Sequence, residues 1–230
     1  MRLDKVLKHY LGWGKSDVRQ SIARGEVLVN GEAARDNLLE VSTFCEVAVK
    51  GEVIQGKEAQ YIMLHKPAGC VSATEDPEHQ TVIDLIDAPF ASNLHIAGRL
   101  DKESTGLLIL TNNGQWSRLL TEPEFSVPKR YRVRTEHEIS PDYAEQFSQG
   151  IYFAYEDITT LPAQLEIISN KVAEITIHEG KYHQIKRMFH AVGNRVTALH
   201  RISIGNIMLG DDLQEGEWRR LTDTEINQPT

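Results

Sequence analysis

From Gly98 to Gly114 the chain reads Gly-Arg-Leu-Asp-Lys-Glu-Ser-Thr-Gly-Leu-Leu-Ile-Leu-Thr-Asn-Asn-Gly, and within it one carboxylate, Asp101, stands shortly ahead of an unbroken apolar run. Leu107 to Leu110 has the composition of a short buried strand, Asn113-Gly114 has the chemistry of a turn, and Trp116 to Leu120 opens a helix. Asp101 is therefore expected on a loop that feeds rigid structure, where chemistry is commonly mounted. The plainer reading is that Asp101 caps a turn or pairs with Arg99. Only the rest of the chain can decide between the two.

Working outward from this stretch, strands dominate. Tyr61 to Leu64, Gly106 to Thr111, Tyr131 to Thr135, Ala163 to Ile168, Val172 to Ile177 and Val196 to Ile204 all read as strands. Helices are fewer, at Ser117 to Leu120 with its neighbours, Pro141 to Gln149 and Tyr182 to Val192. A doubly wound sheet needs regular alternation of strand and helix, and this order lacks it. The expectation is an α+β domain with a mixed, largely antiparallel sheet. The stretch after Gly205 is acidic and is expected at the surface.

The N-terminal segment follows a different plan. Leu3, Val6, Leu7, Tyr10 and Leu11 recur at helical spacing, so residues 2–11 are expected to form an amphipathic helix ending at Gly12, with Lys5 and Lys8 on its polar face. Ser16 is a suitable N-cap for a second short helix, with Val18 and Ile22 turned inward, Arg19 outward and Gly25 as the stop. Val27-Leu28-Val29, Asn30-Gly31 and Glu32-Ala33-Ala34 then read as a hairpin, and Cys45 to Val49 as a further strand. Glu52 to Ala59 reads as a polar linker, which divides the chain into domains at 1–58 and 59–230.

Composition narrows the class. The chain has 230 residues, and no apolar run approaches the roughly 18 to 20 residues that span a bilayer. Charges at Arg2, Asp4, Lys5 and Lys8 break any secretion signal, so a cytoplasmic protein without membrane attachment is expected. Two cysteines, Cys45 and Cys70, form neither a Cys-x-x-Cys pair nor a disulfide framework. A net charge of -8 argues against a general polyanion binder, yet binding responds to local potential. Residues 127–135 and 177–203 each carry a net +4. Such islands in an acidic chain suit a nucleic-acid-binding face, with Arg130, Arg187 and Arg201 as candidate contacts.

The islands also have internal order. Ile185, Met188, Phe189 and Val192 form one helix face, and His183, Lys186, Arg187 and His190 repeat the same spacing on another. In Lys129 to Thr135, strand alternation sets Arg130, Arg132 and Arg134 on one side and Tyr131 and Val133 on the other. Tyr131 is either core or an aromatic surface for an unpaired base. Two other motifs fail. His178-Glu179 lacks a histidine at position 182 for a zinc-protease signature, and His183 with His190 has no accompanying carboxylate or cysteine ligands, so both read as surface histidines. No glycine loop for a nucleotide is present. Any chemistry is expected to run without a metal or other cofactor.

Two resemblances now become specific. Gly25-Glu26-Val27-Leu28-Val29-Asn30-Gly31 after a small basic helix pair resembles the S4 type of RNA-binding module, over residues 1 to about 50. Gly98-Arg99-Leu100-Asp101 with Ser104 to Leu108, then Lys129-Arg130-Tyr131, then Glu179 to Phe189, resemble the three motifs of the RsuA type of RNA pseudouridine synthase. That resemblance implies isomerisation of one uridine by base flipping, with Asp101 as the essential carboxylate. Attack on the sugar, attack on the base and a glycal route all stay open. It implies that Lys186 pairs with Asp101, that Tyr131 contacts the target base, and that Arg99 holds the space or phosphate left by the flipped base. Lys5, Lys15 and Arg19 of the S4-like module are expected to touch RNA. The module's presence and the lack of a basic C-terminal tail point to 16S ribosomal RNA, naked or in a partly assembled small subunit, acted on by a monomer. The alternatives are a 23S rRNA enzyme, a non-catalytic RNA-binding or ribosome-assembly protein and, more distantly, a glycosidase using Asp101 and Glu103.

Overall fold

The structure is a computed structural model describing residues 1–230, and it divides into two compact units, Met1–Ala59 and Gln60–Thr230. In the first, α1 (Leu3–Leu11) buries Leu3, Val6 and Leu7 and ends at Gly12, whose φ of 69° lets its N–H reach the Lys8 carbonyl at 3.0 Å. α2 (Lys15–Ala23) starts two residues earlier than expected, with Gly14 and not Ser16 at the N-cap position. Ser16 lies inside it, and the Asp17 carboxylate accepts the Gly14 N–H at 2.9 Å, so a side chain in the first turn replaces the expected serine cap. β1 (Val27–Val29) and β2 (Glu32–Ala33) form the hairpin, with positive φ at both Asn30 and Gly31.

β3 (Val47–Val49) pairs with β1 on one side and with β4 (Glu52–Gln55) on the other, giving the order β2-β1-β3-β4. The start of the expected linker is thus an edge strand. Lys50 and Gly51 both take positive φ and turn the chain back tightly, and the polar composition reflects the wet side of an edge. Gln55 is buried and donates to the carbonyls of Ser42 at 2.9 Å and Cys45 at 3.2 Å. This unit has an apolar core of its own, built from α1, Val18, Val27, Val41, Val47 and Val49.

The second unit contains, in chain order, β5 (Tyr61–Lys66), β6 (His95–Ala97), β7 (Thr105–Thr111), α3 (Gly114–Thr121), β8 (Lys129–Thr135) and α4 (Tyr143–Ser148). Then come β9 (Tyr152–Phe153), β10 (Ile158–Thr159), β11 (Gln164–Ser169), β12 (Val172–Ile177) and α5 (Gln184–Ala191). β13 (Val196–Ile204), β14 (Ile207–Met208), β15 (Trp218–Arg220) and α6 (Asp223–Asn227) complete it. The main sheet runs β11-β12-β8-β13-β7-β5-β15, with β14 on β13 and β6 on β7. Only β13 and β7 are parallel, so the sheet is mixed and largely antiparallel, as the sequence implies.

Both faces of this sheet are covered. Leu64, Leu108, Val133 and Ile175 pack with Phe147 of α4 and Met188 and Phe189 of α5 on one side. Met63, Leu107 and Ile109 pack with Trp116 and Leu120 of α3 on the other, together with Ile207, Leu213 and Leu221. The acidic stretch after Gly205 is therefore structural, contrary to its expected surface role. Leu213 and Leu221 stand singly among polar residues, which hides their packing in the sequence, and both reach the core with Ile207 while β15 closes the sheet edge on β5. Arg219 and Glu225 pair at 2.9 Å there, and bonds from Arg219 and Thr222 hold the Glu225 carboxyl at about 2. Asn113 caps α3, its side chain accepting the Trp116 N–H at 3.2 Å, where a turn was expected. No helix is long and apolar enough to cross a membrane.

Candidate active site

The loop from Gly98 to Ser104 leads into β7 and is gripped by three buried side chains. Arg201, from the middle of β13 and 1% exposed, donates Nε to the Leu107 carbonyl and Nη2 to the Gly98 carbonyl, both at 2.8 Å. Lys66, at the end of β5 and fully buried, donates Nζ to the carbonyls of Pro67, Lys102 and Ser104 at 2.9, 3.0 and 2.8 Å. Ser72 Oγ donates to the Leu100 carbonyl at 2.7 Å and accepts the Leu100 N–H at 3.1 Å. Buried charges survive only when their donors are satisfied, and here backbone carbonyls satisfy them. Burial lowers the Lys66 ammonium pKa, and nearby Cys70, Glu103 and Asp101 oppose that shift.

The loop presents Asp101 to the start of α5. Lys186 Nζ donates to Asp101 Oδ2 at 2.6 Å, and His183 Nε2 lies 3.3 Å from Oδ1. Both carboxylate oxygens thus face basic groups, and the pair with Lys186 is a charge-assisted hydrogen bond. The apolar stripe of α5 seats Ile185, Met188 and Phe189 in the core, which leaves Lys186 directed at the loop. His183 precedes the helix with a φ of 49°, in the left-handed region that non-glycine residues seldom occupy. The turn that holds it is closed by Lys181 N–H donating to Gln184 Oε1 at 2.9 Å, while Gln184 Nε2 donates to the buried Glu179 at 2.8 Å.

A cleft of about 600 Å³ opens here, lined by Arg99, Asp101, Lys129, Tyr131, Tyr182 and His183 among others. Tyr131 is 7% exposed, yet it lines this cleft with its hydroxyl 3.5 Å from Arg201 Nη1. It is a core residue and a wall of the cleft at once. Asp101 keeps 29% of its side-chain surface, so the carboxylate is reachable from the cleft. Lys129 also lines the cleft, and burial, with a smaller contribution from Arg201, pushes its pKa down to about 8.

Four residues named from the sequence thus converge: Asp101, Arg99, Tyr131 and Lys186. Others do not. Arg130 projects from the opposite side of β8 to Tyr131 and pairs with Glu174 at 2.5 Å, as Arg132 does at 2.8 Å. Arg187 pairs with Glu156 and lies over the Phe153 ring, 3.8 Å from its centroid. Arg201 is corrected outright, because a guanidinium 1% exposed is a buried clamp on the loop and not a surface phosphate contact. Lys5, Lys15 and Arg19 are exposed on the first unit. His183, taken as a surface histidine, stands in the site. The left-handed turn that brings it there has no signature in helical spacing.

Residues 60–191 match the family model described as RNA pseudouridylate synthase, and residues 1–42 match the S4 domain. Ribosomal small subunit pseudouridine synthase A of Pseudomonas aeruginosa is 48% identical over 98% of this chain and 99% of its own length. The proteins of that name from Vibrio cholerae and Escherichia coli K12 are 45% and 44% identical, in each case over 98% of both chains. A crystal structure of a pseudouridylate synthase aligns over 100% of both chains with a TM-score of 0.73 and 38% identity. An S4 domain followed by a domain that sets a carboxylate between two basic side chains defines a two-part RNA-modifying enzyme. The chain belongs to the RNA pseudouridylate synthase family.

Proposed function

We propose that the chain converts one uridine of small-subunit, 16S ribosomal RNA to pseudouridine, with Asp101 as the essential carboxylate. The names of relatives 44% to 48% identical over nearly the whole chain support the substrate. The observation that carries the chemistry is Asp101 on a clamped loop, 2.6 Å from Lys186, in an open cleft walled by Tyr131. In the reaction the N1 to C1′ bond breaks, the uracil rotates, C5 bonds to C1′, and the proton from C5 is replaced by one at N1. Substrate and product contain the same atoms, so the balance calls for no co-reactant.

Lys186 holds Oδ2, which leaves Oδ1, facing the weaker partner His183, as the oxygen for the reacting nucleoside. Tyr131 bounds the space for the uracil. Arg99, in no ion pair, sits where a cation would hold the phosphate or gap left by the extruded base. Extrusion costs a few kcal/mol of stacking, which contacts in the cleft offset. Lys5, Lys15 and Arg19 of the S4 domain meet RNA phosphates, and the enzyme acts as a monomer on free rRNA or a partly assembled small subunit.

Asp101→Asn, nearly isosteric, is expected to abolish tritium release from RNA labelled at uracil C5 while RNA affinity stays within about threefold. Undiminished release would remove Asp101 from the reaction. Mapping pseudouridine in rRNA from cells lacking the protein is expected to show one site missing from 16S rRNA. A site missing from 23S rRNA alone would overturn the substrate assignment.

A further inference from the structure

We propose that Tyr182, stacked on His183, is a platform for an unpaired nucleobase next to the uridine that is isomerised. This rests on the function proposed above and names a subsite that the three motifs leave unassigned. Tyr182 is 77% exposed, although it lines the cleft that contains Asp101. Its ring lies over the His183 imidazole with centroids 3.9 Å apart and planes 21° from parallel. His183 in turn reaches Asp101 Oδ1 at 3.3 Å. A ladder of carboxylate, imidazole and phenol therefore runs from the reacting acid to the mouth of the cleft. One face of its last ring is covered by His183, and the high exposure leaves the other in water.

The ring is also held ready. Arg187 Nη1 donates to the Tyr182 carbonyl at 3.3 Å, and the same guanidinium is fixed by Glu156 and by the Phe153 ring beneath it. The Lys181 to Gln184 hydrogen bonds close the turn on which Tyr182 rides, with Gln184 N–H donating to the Lys181 carbonyl at 3.1 Å. This explains the fate of Arg187: it acts as a positioning residue for the platform and not as a phosphate contact. A side chain with two rotatable bonds on a fixed backbone loses little entropy when a base settles on it.

The chemistry of base flipping supplies the occupant. Extruding a uridine strips its neighbour of a stacking partner, and a flat aromatic face a short distance from the reacting acid restores one. Any base has a π face, so the platform contributes affinity and register without reading sequence.

The test uses the full chain carrying Asp101→Asn, so that binding is measured without turnover. The probe is a 16S rRNA fragment containing the mapped uridine, intact or with an abasic residue on its 5′ or 3′ side. Adding Tyr182→Ala is expected to weaken binding of intact RNA about tenfold, while Tyr182→Phe and Tyr182→Trp stay within about twofold. One of the two abasic probes is expected to cost the parent about tenfold and the alanine variant nothing more, because the two changes delete the same contact. An unaltered melting temperature for Tyr182→Ala, an exposed side chain, separates this from misfolding. Affinity of Tyr182→Ala within twofold of the parent, or losses that simply add, would overturn the platform and leave Asp101 chemistry standing. Undiminished tritium release from the Asp101→Asn parent, with Tyr182-dependent binding intact, would instead remove Asp101 from the reaction and keep the platform beside the isomerised uridine.

Discussion

Lys129 shows how one residue can serve the site at a cost to the fold. Its ammonium lines the cleft beside Arg201, donates only to the Val127 carbonyl at 3.1 Å, and has its pKa lowered from 10.5 to about 8, chiefly by burial. Because the folded state disfavours the charged form, the unfolded chain binds more protons between about pH 8 and 10.5, and stability gains from this residue as pH rises through that window. Below pH 8 the penalty is present in full. Lys129→Met is therefore expected to stabilise the protein at pH 7 by about 1 to 3 kcal/mol and to remove the alkaline gain, read from thermal unfolding at pH 7 and pH 9.5. A lower melting temperature for the variant at pH 7 would contradict this. RNA phosphates would favour the charged form again, so the same variant is expected to bind RNA more weakly. At this scale the sequence was legible where local pattern sufficed: Asp101 ahead of an apolar run, Tyr131 alternating away from its arginines. His183 and Arg201 were misread because their roles depend on a left-handed turn and on burial in the middle of a sheet, which neighbouring residues do not announce.

Among the elements, the parallel pairing of β7 with β13 does most to assemble the site. Gly106 lies opposite Arg201 with a φ of 103°, and a Cβ there would stand 2.3 Å from the Arg201 carbonyl oxygen and 2.6 Å from its nitrogen. Only glycine lets the two backbones come close enough for Arg201 to reach back to the Gly98 loop. Gly106→Ala is expected to cost more than about 3 kcal/mol, seen as a large drop in melting temperature or loss of soluble protein, since backbone and not a flexible side chain must yield. Unchanged stability would show that β7 and β13 can separate without consequence. Strand positions in this domain were readable from apolar runs, and the hairpin at Asn30-Gly31 from its turn chemistry. The partners of each strand were not, because pairing joins residues far apart in the chain. β4 and β15 were missed for the related reason that polar edge strands resemble linkers until a neighbour pairs with them.

For the molecule as a whole, the sequence islands of positive charge turn out to be largely spent on internal pairs with Glu136, Glu156, Glu174 and Glu179. The first unit carries nine basic and nine acidic residues, so the net charge of -8 resides in the second. Exposed Lys15 and Arg19 are consequently expected to contribute much of the phosphate binding. Lys15→Glu with Arg19→Glu should weaken RNA affinity and reduce the slope of log K against log salt by about 1 to 2. An unchanged slope would confine phosphate contact to the second unit. The three anchors of the Asp101 loop come from β5, from Ser72 and from β13, so the last of them, Arg201, is translated about 100 residues after the acid it helps to place. A nascent chain emerging from the ribosome carries its reactive group long before that group is fastened. Competence to modify RNA therefore has to wait until the strand bearing Arg201 has followed the loop out of the ribosome.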